Sequence, residues 1–185
     1  RRRRRAVSPA LVIASRASST SGVLIDAVAA IWRSARRCAR CRASRAAATT
    51  TLRGVDSIRG TAGADTIYGR NFWDYEEFRG YGGNDYIDGR GSFDAVSYVH
   101  ATTAGITVNM ALGTVTSADT GIGSDRLRQI ESVIGTNFVD TYRATGFNAT
   151  STNRSSFGGE NNHFSPLGGA DTIVGNGDTV VNYGG

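Results

Sequence analysis

Gly60-Thr-Ala-Gly-Ala-Asp-Thr-Ile-Tyr68 and Gly80-Tyr-Gly-Gly-Asn-Asp-Tyr-Ile-Asp88 are two lines of one nine-residue pattern. Written in nines from Thr51, the chain runs TLRGVDSIR (51–59), GTAGADTIY (60–68) and GRNFWDYEE (69–77). Two further residues, Phe78 and Arg79, precede GYGGNDYID (80–88) and GRGSFDAVS (89–97). The sixth position is Asp in each line: Asp56, Asp65, Asp74, Asp85 and Asp94. The eighth is Ile58, Ile67, Ile87 and Val96, with Glu76 the exception, and the fourth is Gly54, Gly63 and Gly83 in three lines. The same phasing returns at 120–128 with Asp125, at 135–143 with Asp140 and at 166–174 with Asp171. A period this short marks a repeat architecture in which each unit buries its apolar residue only by stacking on its neighbours.

Physical chemistry gives the period a purpose. Glycine at the fourth position permits positive φ, so the chain can turn tightly and present main-chain carbonyls. The Asp two residues later adds a hard anionic oxygen beside them, a donor set suited to Ca²⁺. The closing triplet is long enough for a three-residue strand whose central side chain points to one face. Burying one aliphatic side chain per turn returns less than the backbone entropy of nine ordered residues costs. Unpaired Asp columns add repulsion. A bound divalent cation offsets both and couples binding to folding.

Composition divides the chain. All 21 basic residues are Arg, and 13 of them fall in residues 1–53 against the single acid Asp26, a charge of +12. Residues 54–185 hold eight Arg against 15 acids, a charge of −7, and 23 of the 24 Gly. The whole-chain charge of +5 thus describes neither part. No run of 18 or more apolar residues suggests a membrane span. Cys38-Ala-Arg-Cys41 has no second pair with which to complete a four-ligand zinc site. The acidic part has no cysteine, so disulfides do not hold it together.

Residues 1–50 are expected to have low order, with one short helix where Val23, Leu24, Ala27, Val28 and Ile31 are helically spaced. Three readings of this segment stay open: an export signal with Ala6–Ser15 as its apolar region, an organelle transit peptide, and an Arg arm for phosphate. Against nucleic acid, only Trp32 is interleaved with the Arg, and no recognition motif is present. The lack of Lys and of an initiating Met has the composition of a shifted reading frame in GC-rich DNA.

Residues 51–97 resemble the RTX (haemolysin-type) calcium-binding nonapeptide, G-G-x-G-x-D-x-U-x. The resemblance implies an all-β fold, a parallel β-roll in which turns stack along two edges and Ca²⁺ sits between turns of the same edge. It places Asp65 and Asp85 on one edge and Asp56, Asp74 and Asp94 on the other, with loop carbonyls at Gly63 and Gly83 and an extra oxygen from Asp88. Asp125, Asp140 and Asp171 extend the ligand set. Second-position Gly is replaced by Thr61, Arg70, Tyr81 and Arg90, and line 69–77 is expected to bulge and to distort the Asp65–Asp85 site. Tyr68, Phe72, Trp73 and Tyr75 cluster in that loop and read as a cap over an imperfect core, with a ligand-stacking patch as the alternative.

Beyond the first block, 98–143 reads as spacer strands with partial repeats, Gly105 to Val115 forming strand, turn and strand. Residues 144–165 read as a Thr-, Ser- and Asn-rich loop, and 166–185 as the start of a second block cut short before a C-terminal export signal. The expected function is calcium binding by a secreted, extracellular module, with type I secretion machinery as partner of the full-length protein. The alternative is the accessory roll of a larger secreted enzyme, a protease, lipase or epimerase. Within this chain no catalysis is expected: HExxH and GxSxG are absent, and His100 and His163 stand alone and read as surface residues.

Overall fold

A computed structural model describes residues 11–15, 48–52, 55–71, 75–154 and 159–183. Asp74, Gly54, Phe72, Trp73, both cysteines and the helical spacing at 23–31 lie outside the described residues. In chain order the strands are β1 (Leu11–Ser15), β2 (Ala48–Leu52), β3 (Ser57–Arg59), β4 (Thr66–Tyr68), β5 (Glu76–Arg79), β6 (Tyr86–Asp88) and β7 (Asp94–Ser97). They continue as β8 (Ile106–Asn109), β9 (Thr114–Ser117), β10 (Ser124–Arg128), β11 (Ser132–Ile134), β12 (Thr141–Arg143), β13 (Asn162–Ser165), β14 (Thr172–Val174) and β15 (Thr179–Val181). The described residues are all-β and contain no helix.

From β2 to β8 and again from β10 to β15, successive strands alternate between two sheets. One has the order β14-β12-β8-β9-β10-β6-β4-β1-β2 and the other β15-β13-β11-β7-β5-β3. Pairing is parallel throughout except where β9 runs antiparallel to β8 and β10. A three-residue strand has room for one inward side chain, as the pattern exposed–buried–exposed of β3 shows. Those inward residues form columns in register. Ile58, Phe78, Val96, Val133 and Phe164 line one sheet. Ile67, Ile87 and Leu127, then Val108, Tyr142 and Ile173, line the other. Both columns belong to one apolar cluster, so the sheets face each other across a shared core.

Four expectations are corrected. Phe78 and Arg79, read as extra residues after line 69–77, are part of β5. Phe78, fully buried, takes the apolar slot between Ile58 and Val96, and Glu76 takes the Asp slot. The hydrophobic column fixes this register, because slipping Phe78 by one place would turn it outward. Residues 11–15 and 48–50, expected to have low order, lie in strands, with β1 parallel to both β2 and β4. The 144–165 stretch is not wholly loop, since β13 occupies Asn162–Ser165. Residues 166–181 do not begin a second block. β14 and β15 extend the same two sheets through β12 and β13.

Turn geometry explains the repeat's glycines unevenly. Gly83 and Gly169 hold φ +119 at the fourth position and Ser92 holds φ +105 there, but Gly63 is outside the positive-φ region. Tyr81, Arg90 and Leu167 hold φ 65–68 at the second position, where the family pattern has Gly. The hairpin β8–β9 is pinned by Asp119, whose carboxylate accepts the amides of Thr102 (2.7 Å), Thr103 (2.8 Å) and Gly121 (2.8 Å). Those donors hold its carboxyl below the usual range.

Candidate metal centre

The acids of the repeat stack turn upon turn. The Asp65 amide donates to Asp85 Oδ1 at 2.8 Å and the Asp85 amide to Asp125 Oδ1 at 2.9 Å. Beyond the hairpin, the Ile106 amide donates to Asp140 Oδ1 and the Asp140 amide to Asp171 Oδ1, each at 2.8 Å. On the other edge the Glu76 amide donates to Asp94 Oδ1 at 3.2 Å and the Asp94 amide to Glu131 Oε2 at 2.8 Å. Strand register places Asp56 beside Glu76 at the start of that second column. Each acid stands within one residue of the start of its strand, Asp125 being the second residue of β10, so strand pairing carries the carboxylates into line.

These carboxylates differ in how their oxygens are satisfied. Asp65 receives the Thr61 amide (2.5 Å) and hydroxyl (3.1 Å). Asp140 receives the Thr136 amide and hydroxyl, both at 2.8 Å. The two turns are built alike, each Thr sitting four residues before its Asp. The Tyr98 hydroxyl donates to Asp125 Oδ2 at 2.9 Å. Arg70 ion-pairs with Asp56 Oδ1 (2.8 Å) and Glu76 Oε1 (3.1 Å). Tyr81 and Arg90 occupy the Thr position in the turns of Asp85 and Asp94, and there Asp85 Oδ2 and Asp94 Oδ2 are buried without a hydrogen-bond partner.

Electrostatics follow from that burial. Desolvation raises the Asp85 carboxyl to about 6, with Asp65 adding repulsion. Asp94 rises to about 9 through desolvation and the nearby Glu131 and Glu76. Desolvation takes Asp125 to about 7, with repulsion from Asp85 contributing. Burying a carboxylate without a counter-charge is costly, and a cation beside it removes the cost.

The orphan oxygens sit at glycines. A methyl group on Gly89 would lie 2.6 Å from Asp94 Oδ2 and would overlap the Gln129 carbonyl oxygen. One on Gly60 would lie 2.6 Å from both Asp65 Oδ2 and the Gly80 carbonyl, and one on Gly80 would overlap the Asp85 carboxylate. The first-position glycines therefore let carboxylate and carbonyl oxygens pack directly against the main chain at these turns. An all-oxygen environment of this kind fits a hard cation such as Ca²⁺. Among the described residues no three His, Cys, Asp or Glu side chains converge as a metal-binding group. Any ion here would draw on one or two carboxylates and on main-chain oxygens.

Several sequence-based assignments change. Asp65, Asp85 and Asp125 align, as do Asp140 and Asp171, while Asp94 stacks with Glu76 and Glu131. The Asp65–Asp85 step is undistorted because the bulge falls on the other edge. Asp88 is outside both columns, accepting the Arg90 amide at 3.1 Å and lying 3.9 Å from Arg128. Arg126, Arg128 and Arg154 line a cavity of about 410 Å³, and their positive charge disfavours a cation there. His100 and His163 are half-buried, the first tilted against Tyr81 at 4.6 Å and the second set edge-on at 4.9 Å to Phe93. Burial lowers the pKa of both. Glu76 and Glu131 were hidden by fixing on Asp at position six. Searching for any acid two residues before an apolar residue finds Glu76-Glu-Phe78 and Glu131-Ser-Val133. Compared with protein-family models, curated proteins and solved structures, the chain matches none.

Proposed function

We propose that this chain is a calcium-binding module, a parallel β-roll of RTX-type nonapeptides that completes its fold on taking up Ca²⁺ outside the cell. The observation that carries the proposal is the pair of buried, partnerless oxygens, Asp85 Oδ2 and Asp94 Oδ2, one in each acidic column. Alternation of short parallel strands between two sheets supports the roll. The all-oxygen surroundings favour calcium over softer metals. Extracellular calcium sites work at about 10⁻⁴–10⁻³ M, so a cytosol poor in calcium would leave the module incompletely folded. Export by type I machinery belongs to the same proposal, since an unfolded chain is the form that threads a narrow conduit. Thermal melts followed by circular dichroism test it. A midpoint raised by millimolar Ca²⁺ and returned by chelator is expected; identical melts in calcium and in chelator would refute the proposal.

A further inference from the structure

Arg70 stands at the second position of its line, where Thr61, Tyr81 and Arg90 stand in theirs; Thr61 brings a hydroxyl to Asp65, whereas Arg70 brings a cation into the other acidic column. Its residue is 6% exposed. The guanidinium spans two successive turns of one edge, with Nη2 2.8 Å from Asp56 Oδ1 and Nε 3.1 Å from Glu76 Oε1. Its main-chain amide donates to Glu76 Oε2 at 2.6 Å, so both oxygens of that carboxylate are engaged. One step along the same column, Asp94 has no such cation, and its second oxygen is partnerless. Arg90, in the equivalent place of the Asp94 line, lies 4.9 Å over the Tyr68 ring instead. A planar guanidinium with donors on adjacent nitrogens can bridge two carboxylates, as a divalent ion between turns would.

We propose that Arg70 is a resident counter-ion that takes the place of a metal ion between Asp56 and Glu76, so that this inter-turn step closes without calcium while the step at Asp94 requires it. The proposal rests on the calcium reading of the two columns. Its consequence is directional: the edge is locked at the β3–β5 end by its own side chain and is completed by the ion toward β7 and β11. Such a preformed turn gives calcium-driven stacking a fixed place to start, and nucleating the first turn is the costly step in repeat folding.

Calcium stoichiometry of the full chain, measured by calorimetry on wild type, Arg70→Gln and Arg70→Lys, tests this. Arg70→Gln is expected to bind one more Ca²⁺ than wild type, and to melt earlier in chelator but recover in saturating calcium. Arg70→Lys, which keeps a positive charge, should bind the wild-type number. If wild type binds calcium and Arg70→Gln binds the same number, the resident counter-ion is refuted and the calcium reading survives. If neither protein binds calcium, both fall. An Arg70→Gln chain that stays unfolded in saturating calcium also refutes the proposal, because the ion should then close the released pair.

Discussion

The amide of Asp85 donates to the carboxylate of Asp125, 40 residues further along the chain, at 2.9 Å. That single bond joins two turns across the whole hairpin β8–β9. It shows how the columns work: Asp85, Asp125, Asp171, Asp94 and Glu131 each accept the amide of the preceding acid of their column, and the fate of a remaining oxygen is left to local sequence. Where Thr61 or Thr136 is present, a hydroxyl meets it. Where Tyr81 or Arg90 is present, nothing within the described protein does.

Removing the charge at Asp94 separates burial from binding. Asp94→Asn keeps an oxygen for the Glu76 amide and replaces the orphan oxygen with a donor near the Gln129 carbonyl. The metal-free protein should melt several degrees higher than wild type, and the calcium-induced rise should shrink. Paired melts in chelator and in calcium measure both effects.

Acid should replace calcium in part. The folded carboxyls of Asp85 (about 6), Asp125 (about 7) and Asp94 (about 9) stand above their unfolded values. A group raised in this way stabilises the fold fully below its unfolded pKa and loses that contribution as pH climbs through its folded pKa. Without metal, stability should fall steadily from pH 5 to pH 9, and saturating calcium should flatten the profile. Denaturant midpoints across that range in chelator and in calcium provide the check.

Ser92 occupies a backbone position, φ +105, that Gly83 and Gly169 fill in their own turns. A side chain there costs on the order of 1 kcal/mol or more. Ser92→Gly is therefore expected to stabilise the chain by about 1 kcal/mol, less the entropy of a freer unfolded chain. Urea unfolding detects a change of that size.

Thr136→Val keeps the shape of the side chain and deletes the hydroxyl that Asp140 accepts at 2.8 Å. Leaving a buried carboxylate short of a donor costs about 1–3 kcal/mol. Metal-free stability should drop by that order, with calcium restoring part of it. The same comparison of urea midpoints in chelator and in calcium applies.

Much of this architecture could be read from the lines 60–68 and 80–88, because Ile67 and Ile87 pair in register and Asp65 meets Asp85 directly. Reading failed where the local rule bent. At 69–79 Glu76 stands in the acidic column, and only the buried column of Ile58, Phe78 and Val96 resolves the phase. Glu131 was missed because a longer acid fills the Asp slot. Arg70 could be seen only as a missing glycine, since nothing in a linear pattern says whether a long side chain turns inward to acids or outward to Tyr68, as Arg90 does. Continuity of 166–181 with the same sheets depends on β12, which the line 135–143 announces, and on β13, which lies where the period is broken.

Direct calcium uptake, measured by equilibrium dialysis with radioactive Ca²⁺ on wild type and on the double variant Asp85→Asn/Asp94→Asn, probes the centre of the proposal. Wild type should take up calcium in the range of about 10⁻⁴–10⁻³ M, and the double variant should lose the ions held at those two positions. No uptake by wild type, or equal uptake by both proteins, would contradict the assignment of the buried carboxylates as the cation site.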